Sequence, residues 1–188
     1  MKYLSLIYFL ILPLFLIGSC DLQKSSFDED SIEILNLIIQ KSDSSCLFKE
    51  SYYLNERKRP INKINHYIRV YKSSKKSAAY NLFYKDVDGI ITIEELDEMK
   101  TIYSSWSNKD WQQSDIKKKN IHIVSIYDVS NVCDRFWRIS EPLFTRDKKK
   151  AIVSVYFGNK SGGTVLKILK KENGVWSVKG GIPIGTSG

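Results

Sequence analysis

An acidic segment near the middle of the chain contains side chains that could hold a metal ion. Asp86 and Asp88 supply carboxylates, Gly89 permits a sharp turn, and Thr92 and Glu95 follow with further oxygen atoms. A hard cation such as Ca²⁺ takes about six to eight oxygen ligands, and a tight loop can bring several of them together. The same residues also fit a simpler structure, a turn followed by a helix whose Thr92 and Glu95 form a capping box.

The segment resembles the second part of an EF-hand calcium loop and the start of its exit helix. The resemblance implies two carboxylates, a backbone carbonyl, a water-mediated contact and a bidentate carboxylate as ligands: Asp86, Asp88, Ile90, Thr92 and Glu95, in that order. The chain departs from the pattern at the first ligand position, where Tyr84 stands in place of the usual aspartate. The resemblance therefore predicts a degenerate calcium loop at 84–95, and Ca²⁺ is the one cofactor that it implies.

Side chains suited to acid–base or nucleophilic catalysis are few. The two histidines, His66 and His122, lie in segments that alternate like strands. Cys133, His122 and Asp128 could form a nucleophilic site, but all three come from one short segment. A histidine at a sheet edge is the alternative. We therefore expect no catalytic residues and no enzymatic activity, and an envelope hydrolase ranks third among the possible functions.

The N-terminal residues have the pattern of a signal peptide. Lys2 supplies a positive charge, residues 3–17 are almost wholly apolar, and the small residues Gly18 and Ser19 precede Cys20. A cationic start, an apolar run of this length and a small-residue exit are typical of a secretory signal. The run is short for a membrane-spanning helix, and a proline interrupts it. The alternative is a membrane segment that is never removed.

The sequence Ile17-Gly18-Ser19-Cys20 resembles the lipobox of bacterial lipoproteins. The resemblance implies that residues 1–19 are removed, that Cys20 takes a diacylglycerol thioether, and that its new amine often takes an acyl chain such as palmitate. Two or three chains hold a protein firmly to a membrane, whereas one holds it only marginally. The resemblance predicts a lipid-anchored, extracytoplasmic protein of the bacterial cell envelope.

Two cysteines remain once Cys20 is lipidated. Cys46 and Cys133 stand 87 positions apart, in a protein whose predicted compartment can be oxidising. A disulfide between them would stabilise the fold by about 4 kcal/mol in the chain-entropy model. Two buried free thiols are the alternative, and the sequence does not distinguish them.

The chain is basic, with a formal net charge of +8. The cationic residues are scattered in short runs that suit solvated turns: 57–59, 75–76, 117–119, 148–150 and 170–171. Scattered charge and an extracytoplasmic address both disfavour nucleic acid. An electrostatic contact with anionic lipid head groups is the weaker alternative. The partners that we expect are the membrane, through the lipid on Cys20, and an unidentified envelope protein or glycan.

Aromatic residues make up 12% of the chain. Exposed rings could form a binding surface for a glycan, a peptide or a partner protein. Packing in the core and between strands is the favoured alternative, and large rings such as Trp111 are expected to fill the edge of a core.

Hydrophobic spacing predicts two helices and a series of strands. One helix begins at Asp30 or Ser31, and a second follows Thr92 and ends near Tyr103. Alternating segments predict strands at 64–71, 78–83, 121–127, 136–139, 151–157, 164–171 and 175–178. Asn173-Gly174 is a strong hairpin signal between the last two. The predicted fold class is α+β, with an antiparallel β meander in the C-terminal half and about two helices packed on one face.

Three stretches of the C-terminal part are Ser140-Glu-Pro142-Leu-Phe144, Lys149-Lys-Ala151-Ile-Val and Lys170-Lys-Glu-Asn-Gly-Val-Trp176. Together they resemble a C-terminal module of small uncharacterised bacterial envelope lipoproteins. The resemblance supports a β fold and implies no activity.

The predicted organisation is a signal peptide at 1–19, lipidated Cys20 with a tether at 20–30, a single domain at 31–180 and a flexible tail at 181–188. The favoured function is a non-catalytic binding or accessory role with an unidentified ligand. A calcium-binding lipoprotein that uses residues 84–95 is the alternative.

Overall fold

The computed structural model describes residues 27–40, 46–51, 62, 90–103, 109–158 and 162–186. Several predictions fall outside these residues: the signal peptide at 1–19, Cys20, the tether up to residue 26, His66, the strands at 64–71 and 78–83, Tyr84, Asp86 and Asp88. Within the described ranges, no helix is long and apolar enough to cross a membrane.

The described elements form an α+β fold around one mixed sheet. The helices are α1 (Glu29–Ile39), α2 (Ile93–Ile102) and the short α3 (Val129–Val132), with a 3₁₀ turn at Gln113–Asp115. The strands are β1 (Cys46–Phe48), β2 (His122–Val124), β3 (Phe136–Ile139), β4 (Leu143–Phe144), β5 (Lys150–Gly158), β6 (Gly163–Glu172) and β7 (Val175–Thr186). The sheet has the order β2-β1-β3-β5-β6-β7, and β4 pairs with β5 outside this path.

The predicted C-terminal meander is confirmed. β5, β6 and β7 pair consecutively and antiparallel. The turn between β6 and β7 consists of Asn173 and Gly174, with φ of 51° and 81°. Positive φ at both central residues is what a two-residue type I′ turn requires, and an Asn-Gly pair meets that requirement at low cost. At the other edge the sheet is parallel, because β1 pairs in parallel with both β2 and β3.

The prediction of a flexible tail is wrong for residues 181–186. β7 continues through Thr186, which pairs with Gly163 at the start of β6. The pairing of β6 with β7 has register shifts beside Ile168 and Val165, and Ile182 is buried in the core. Glycines in a strand often mark such a bulge, so the Gly-rich composition was misread as fraying.

The two long helices do not pack on one face of the sheet, and that prediction is corrected. α1 packs with Ala151, Val153 and Val155 of β5 in one core cluster. Met99 of α2 belongs to a second cluster, which contains Ile152 of the same strand. Because successive side chains of a strand point to opposite faces, the two helices cover opposite faces. The near-continuous burial of β5 follows from this arrangement.

The folded domain begins earlier than residue 31. The Phe27 ring is buried and stacks on Trp111 with ring centroids 3.8 Å apart. Asp28 is the N-cap and α1 begins at Glu29, so the predicted start at Asp30 or Ser31 is one or two residues late. Residues 27–30 therefore belong to the domain and not to a tether.

Candidate functional site

Three of the five ligands implied by the EF-hand resemblance lie in the described part of the chain: Ile90, Thr92 and Glu95. The predicted capping box of α2 is confirmed, since Thr92 N–H donates to Glu95 Oε2 at 2.7 Å and Glu95 N–H donates to Thr92 Oγ1 at 3.2 Å. Lys150 Nζ on β5 donates to both oxygens of Glu95, at 2.7 and 2.9 Å. The Glu95 carboxylate thus caps α2 and connects it to the sheet. Among the described residues, no group of three His, Cys, Asp or Glu side chains is arranged to hold a metal ion.

The nucleophilic grouping considered for Cys133 is not assembled. The sulfur of Cys133 forms a disulfide with Cys46, so it carries no thiol that could act as a nucleophile. His122 is an exposed residue of the edge strand β2, and Asp128 is also exposed.

The sequence left open whether Cys46 and Cys133 form a disulfide or are two free thiols, and in the structure they form a disulfide. The Cα atoms of Cys46 and Cys133 lie 6.3 Å apart, inside the usual range of about 4.4–6.8 Å. Cys46 is buried with Phe48 and Val124, and the partly buried Phe136 packs against them. The bond therefore joins β1 to the segment that follows α3.

A groove beside α1 presents a different set of functional groups. Asp28 caps the helix by accepting the Ser31 N–H at 2.9 Å, and the acidic first turn interacts favourably with the helix dipole. One helix face is buried in the core: Ile34, Leu35, Ile38 and Ile39. The opposite face, at spacing i, i+3, i+4 and i+7, lines the groove: Glu33, Asn36, Leu37 and Gln40.

The polar face of α1 is one wall of the groove, and the loop that carries Lys117 and Lys118 is the second. Asn36 holds this loop against the helix. Its Nδ2 donates to the carbonyls of Ile32, at 2.8 Å, and Asp115, at 2.7 Å. Its Oδ1 accepts the backbone N–H of Lys117 at 2.8 Å. One amide side chain therefore uses both of its ends to position the loop that carries Lys117 and Lys118.

The ammonium of Lys118 lies at the C-terminal end of α1. Lys118 Nζ donates to the carbonyl of Gln40 at 3.4 Å. The last carbonyls of a helix carry partial negative charge and lack partners in the helix, so a cation is stabilised there. Lys117 is exposed beside it. This end of the groove is cationic.

The third wall is the end of the β6–β7 hairpin. Trp176 is 2% exposed, and its indole Nε1 donates to Asp30 Oδ1 at 2.9 Å. The backbone N–H of Trp176 donates to Glu33 Oε1 at 3.4 Å. Val175, the neighbouring residue, is 61% exposed at the groove. The hairpin therefore supplies apolar surface and, through the Trp176 N–H, holds the Glu33 carboxylate of α1 at the groove.

The electrostatic environment of Asp30 explains why the hairpin stays against α1. Burial raises the pKa of Asp30, but hydrogen bonds from Lys171 and Trp176 outweigh it, so the pKa lies below its ordinary value of 3.8. Lys171 Nζ lies 2.5 Å from Asp30 Oδ1. The ionised carboxylate is thus favoured in the folded protein and connects the helix to β6 and β7.

The complete groove has a volume of about 540 Å³, within the range of about 300–1,000 Å³ typical of small-molecule sites. Its floor and one side are apolar, from Leu37, Val175 and Trp176. Glu33 lies toward one end, and the ammonium of Lys118, at the carbonyl of Gln40, lies toward the other. Lys117, whose backbone N–H is held by Asn36, also lines the groove. The arrangement can bind an amphipathic ligand that carries charge at its ends.

The sequence reasoning did not identify this groove. It assigned the 117–119 lysines to a turn and placed Trp176 on a strand, and both assignments are compatible with the structure. The available signal was Leu37, an apolar residue on the otherwise polar face of α1. The neighbours of that face come from positions roughly 80 and 140 residues later, so spacing alone could not reveal them.

No protein-family model matches this sequence, and comparisons with curated proteins and with solved structures find no significant similarity.

Proposed function

We propose that the protein is a lipid-anchored component of the bacterial cell envelope with a non-catalytic binding role, and that the groove beside α1 is its binding site. The observation that carries the anchoring is the sequence Ile17-Gly18-Ser19-Cys20 at the end of an apolar N-terminal segment. The observation that carries the binding role is a groove with apolar walls and oppositely charged ends.

The disulfide supports an extracytoplasmic location. Disulfides persist mainly in oxidising compartments, whereas cytosolic thiols are usually kept reduced. Cys46 and Cys133 are joined in the folded domain, where Cys46 lies in a small apolar cluster. A structural bond of this kind is expected in a protein that has been exported.

The start of the domain supports a position close to the membrane. Phe27 is the first described residue and is already part of the core, seven positions after Cys20. Even a fully extended chain covers only about 25 Å over that interval. We infer a domain held within a short distance of the lipid surface, where it can bind ligands of the envelope.

Metabolic labelling tests the anchoring. The full chain is expressed in bacteria grown with alkyne-tagged palmitate, and label and membrane association are measured after fractionation. We expect the native chain to be labelled and membrane-bound, with a mature N-terminus at Cys20. The Cys20→Ser variant is expected to lose the label.

The matched control is the Cys46→Ser, Cys133→Ser double variant, which lacks the disulfide and is expected to keep the label. Label on the Cys20→Ser chain, or a native chain that retains residues 1–19, would contradict the proposal. The second of these results would instead support an uncut membrane segment.

A further inference from the structure

The two ends of the groove have a defined separation. Glu33 and Gln40 lie on the same face of α1, and seven helical residues rise about 10 Å. Lys118 contacts the carbonyl of Gln40, so the cationic end lies about two turns from the Glu33 carboxylate. An extended peptide rises about 3.3 Å per residue, and three residues therefore span the same distance.

The walls between the two ends are apolar. Leu37 is partly buried beside the core, Trp176 forms a buried wall, and Val175 is largely exposed. An apolar side chain of a ligand would cover Val175 and Leu37 and remove their surface from water, which is favourable in proportion to the area covered.

We propose that the groove binds short peptides with free ends, about three residues long, as zwitterions. The α-amine of the peptide pairs with Glu33, its α-carboxylate pairs with Lys117 and Lys118, and a central apolar side chain packs on Leu37 and Val175. This inference rests on the binding role proposed above and names the chemical class of the ligand.

The separation of the two charges favours a peptide over a lipid head group or free phosphate. A zwitterionic head group carries both charges only a few bonds apart, which is too close to reach both ends of the groove. The lysines alone would attract any anion, since an ammonium acts as a point charge. Glu33 would repel a phosphate placed along the groove but attracts an amine. The backbone N–H of Trp176 donates to Glu33 Oε1, which keeps this carboxylate at the groove. A ligand with both charges uses both ends.

Calorimetric titration of the mature lipidated chain, held in nanodiscs of neutral phosphatidylcholine, tests the proposal. Four forms of the tripeptide Ala-Leu-Ala serve as probes. One has both ends free, one is N-acetylated, one is C-amidated, and one is blocked at both ends. We expect each single block to weaken binding about fivefold, the effect of losing one exposed ion pair of about 1 kcal/mol. The dipeptide Ala-Leu is too short to span both ends of the groove. Blocking one of its two ends is therefore expected to leave its affinity unchanged.

Variants assign each preference to its end of the groove. Glu33→Gln, which keeps an acceptor for the Trp176 N–H, should abolish the preference for a free amine and keep that for a free carboxylate. The Lys117→Gln, Lys118→Gln double variant should abolish the preference for a free carboxylate and keep that for a free amine. Lys119→Gln is the matched control, because Lys119 is an exposed lysine of the same run that does not line the groove. It should leave both preferences unchanged.

The proposal is overturned if the four peptides bind equally, if none binds, or if Lys119→Gln has the effect of the double variant. Inorganic phosphate that binds as tightly as the free tripeptide, and only with both lysines present, would overturn it in favour of a simple anion site. Failure of palmitate labelling is a separate result, since the groove residues begin at Glu33 and the same titrations can then be made on the unlipidated chain without nanodiscs.

Discussion

The two edges of the sheet are held together in different ways. At the C-terminal edge, β5, β6 and β7 are long strands that follow one another in sequence, at most four residues apart, and pair antiparallel. At the other edge, β1 and β2 have three residues each, pair in parallel, and lie more than 70 positions apart in the chain. Strands paired over so many residues must first close a long loop, whose entropy opposes folding.

The short parallel edge is further held by a buried ring and a covalent bond. The Trp111 indole is fully buried and donates to the carbonyl of Ile139 at 2.9 Å, while its ring stacks on Phe27. Its backbone N–H donates to the carbonyl of Lys49, just after β1. The disulfide joins the same strand to the segment after α3. In the meander the strands pair locally, and the buried ring of Trp176 connects β7 to α1. Where pairing is distant, a large buried ring and a covalent bond add stability.

The largest effect is expected from Trp111→Ala. The variant creates a cavity, removes the hydrogen bond to Ile139 and leaves Phe27 without its stacking partner, so we expect a loss of about 4 kcal/mol in the free energy of unfolding. Urea denaturation measures this loss. Tyr127→Ala is the control, because Tyr127 is 81% exposed, and it should change stability by less than about 0.5 kcal/mol. A loss below about 1 kcal/mol for Trp111→Ala would show that the parallel edge does not depend on this ring.

Removal of the disulfide should have the next largest effect. Cys46→Ser with Cys133→Ser releases a closed loop of 87 positions in the unfolded chain. We expect a loss of about 3 kcal/mol, less than the chain-entropy value because an unfolded chain retains some structure. Reductant should lower the midpoint of the native protein by a similar amount and should not affect the double variant. If reduction left native stability unchanged, the bond would not support the parallel edge.

Asp30 connects α1 to the meander, and Asp30→Ala tests that contact. The buried indole N–H of Trp176 loses its acceptor, so we expect a loss of about 2 kcal/mol at neutral pH. Because folding lowers the pKa of Asp30, the stabilisation is present above the ordinary value of 3.8 and is lost as the pH falls through the lower folded value.

Denaturation at a series of pH values should therefore show a smaller loss of stability on acidification in Asp30→Ala than in the native protein. The pKa of Asp28 is also lowered, because hydrogen bonds from Lys148 and Ser31 outweigh the effect of burial. Asp28 is present in both proteins, so its contribution to the acid profile is common to them. Parallel acid profiles for the two proteins would contradict the assigned role of Asp30.

Within the meander, Gly174→Ala should cost about 1 kcal/mol, because its φ of 81° disfavours any residue with a Cβ atom. The glycine has open space around it, so the cost comes from the backbone and not from a clash. Asn173→Gly at the neighbouring position, with φ of 51°, should be within a few tenths of a kcal/mol of native. Thermal melting that ranks the two variants in the opposite order would contradict the type I′ turn.

The smallest expected effect is that of calcium. Glu95 is paired with Lys150 and caps α2, so a calcium ion would have to displace that ammonium. We expect millimolar Ca²⁺ and chelator to give the same thermal midpoint, because only a ligand that binds the folded state raises it. A calcium-dependent rise that Glu95→Gln abolishes would instead establish the EF-hand-like loop as a site.

The elements that local sequence determines were predicted well. The strands at 151–157 and 164–171, the Asn173-Gly174 turn and the Thr92–Glu95 capping box all depend on residues within a few positions of each other. The segment 121–127 was predicted as one strand, but only His122–Val124 pairs, because its short partner β1 offers three residues. β1 itself was not recognised, since three residues carry no periodicity.

The groove and the arrangement of the helices could not be predicted in the same way. The apolar stripe of each helix was visible in the sequence, but the face of the sheet that each covers depends on which side of β5 the chain crosses. Glu33, Lys118 and Val175 come from three distant parts of the chain and become neighbours only when α1, the 115–118 loop and the hairpin meet.

The sequence by itself therefore determined the local elements, because a turn and a cap each depend on a few adjacent residues. The proposed lipid anchor at Cys20 likewise rests only on the adjacent residues Ile17 to Cys20. Only the tertiary structure decided that Cys46 bonds to Cys133, that the helices lie on opposite faces, and that a carboxylate and two lysines line the same apolar groove. These features join residues separated by tens of positions, and burial of apolar surface across the whole domain selects such pairings.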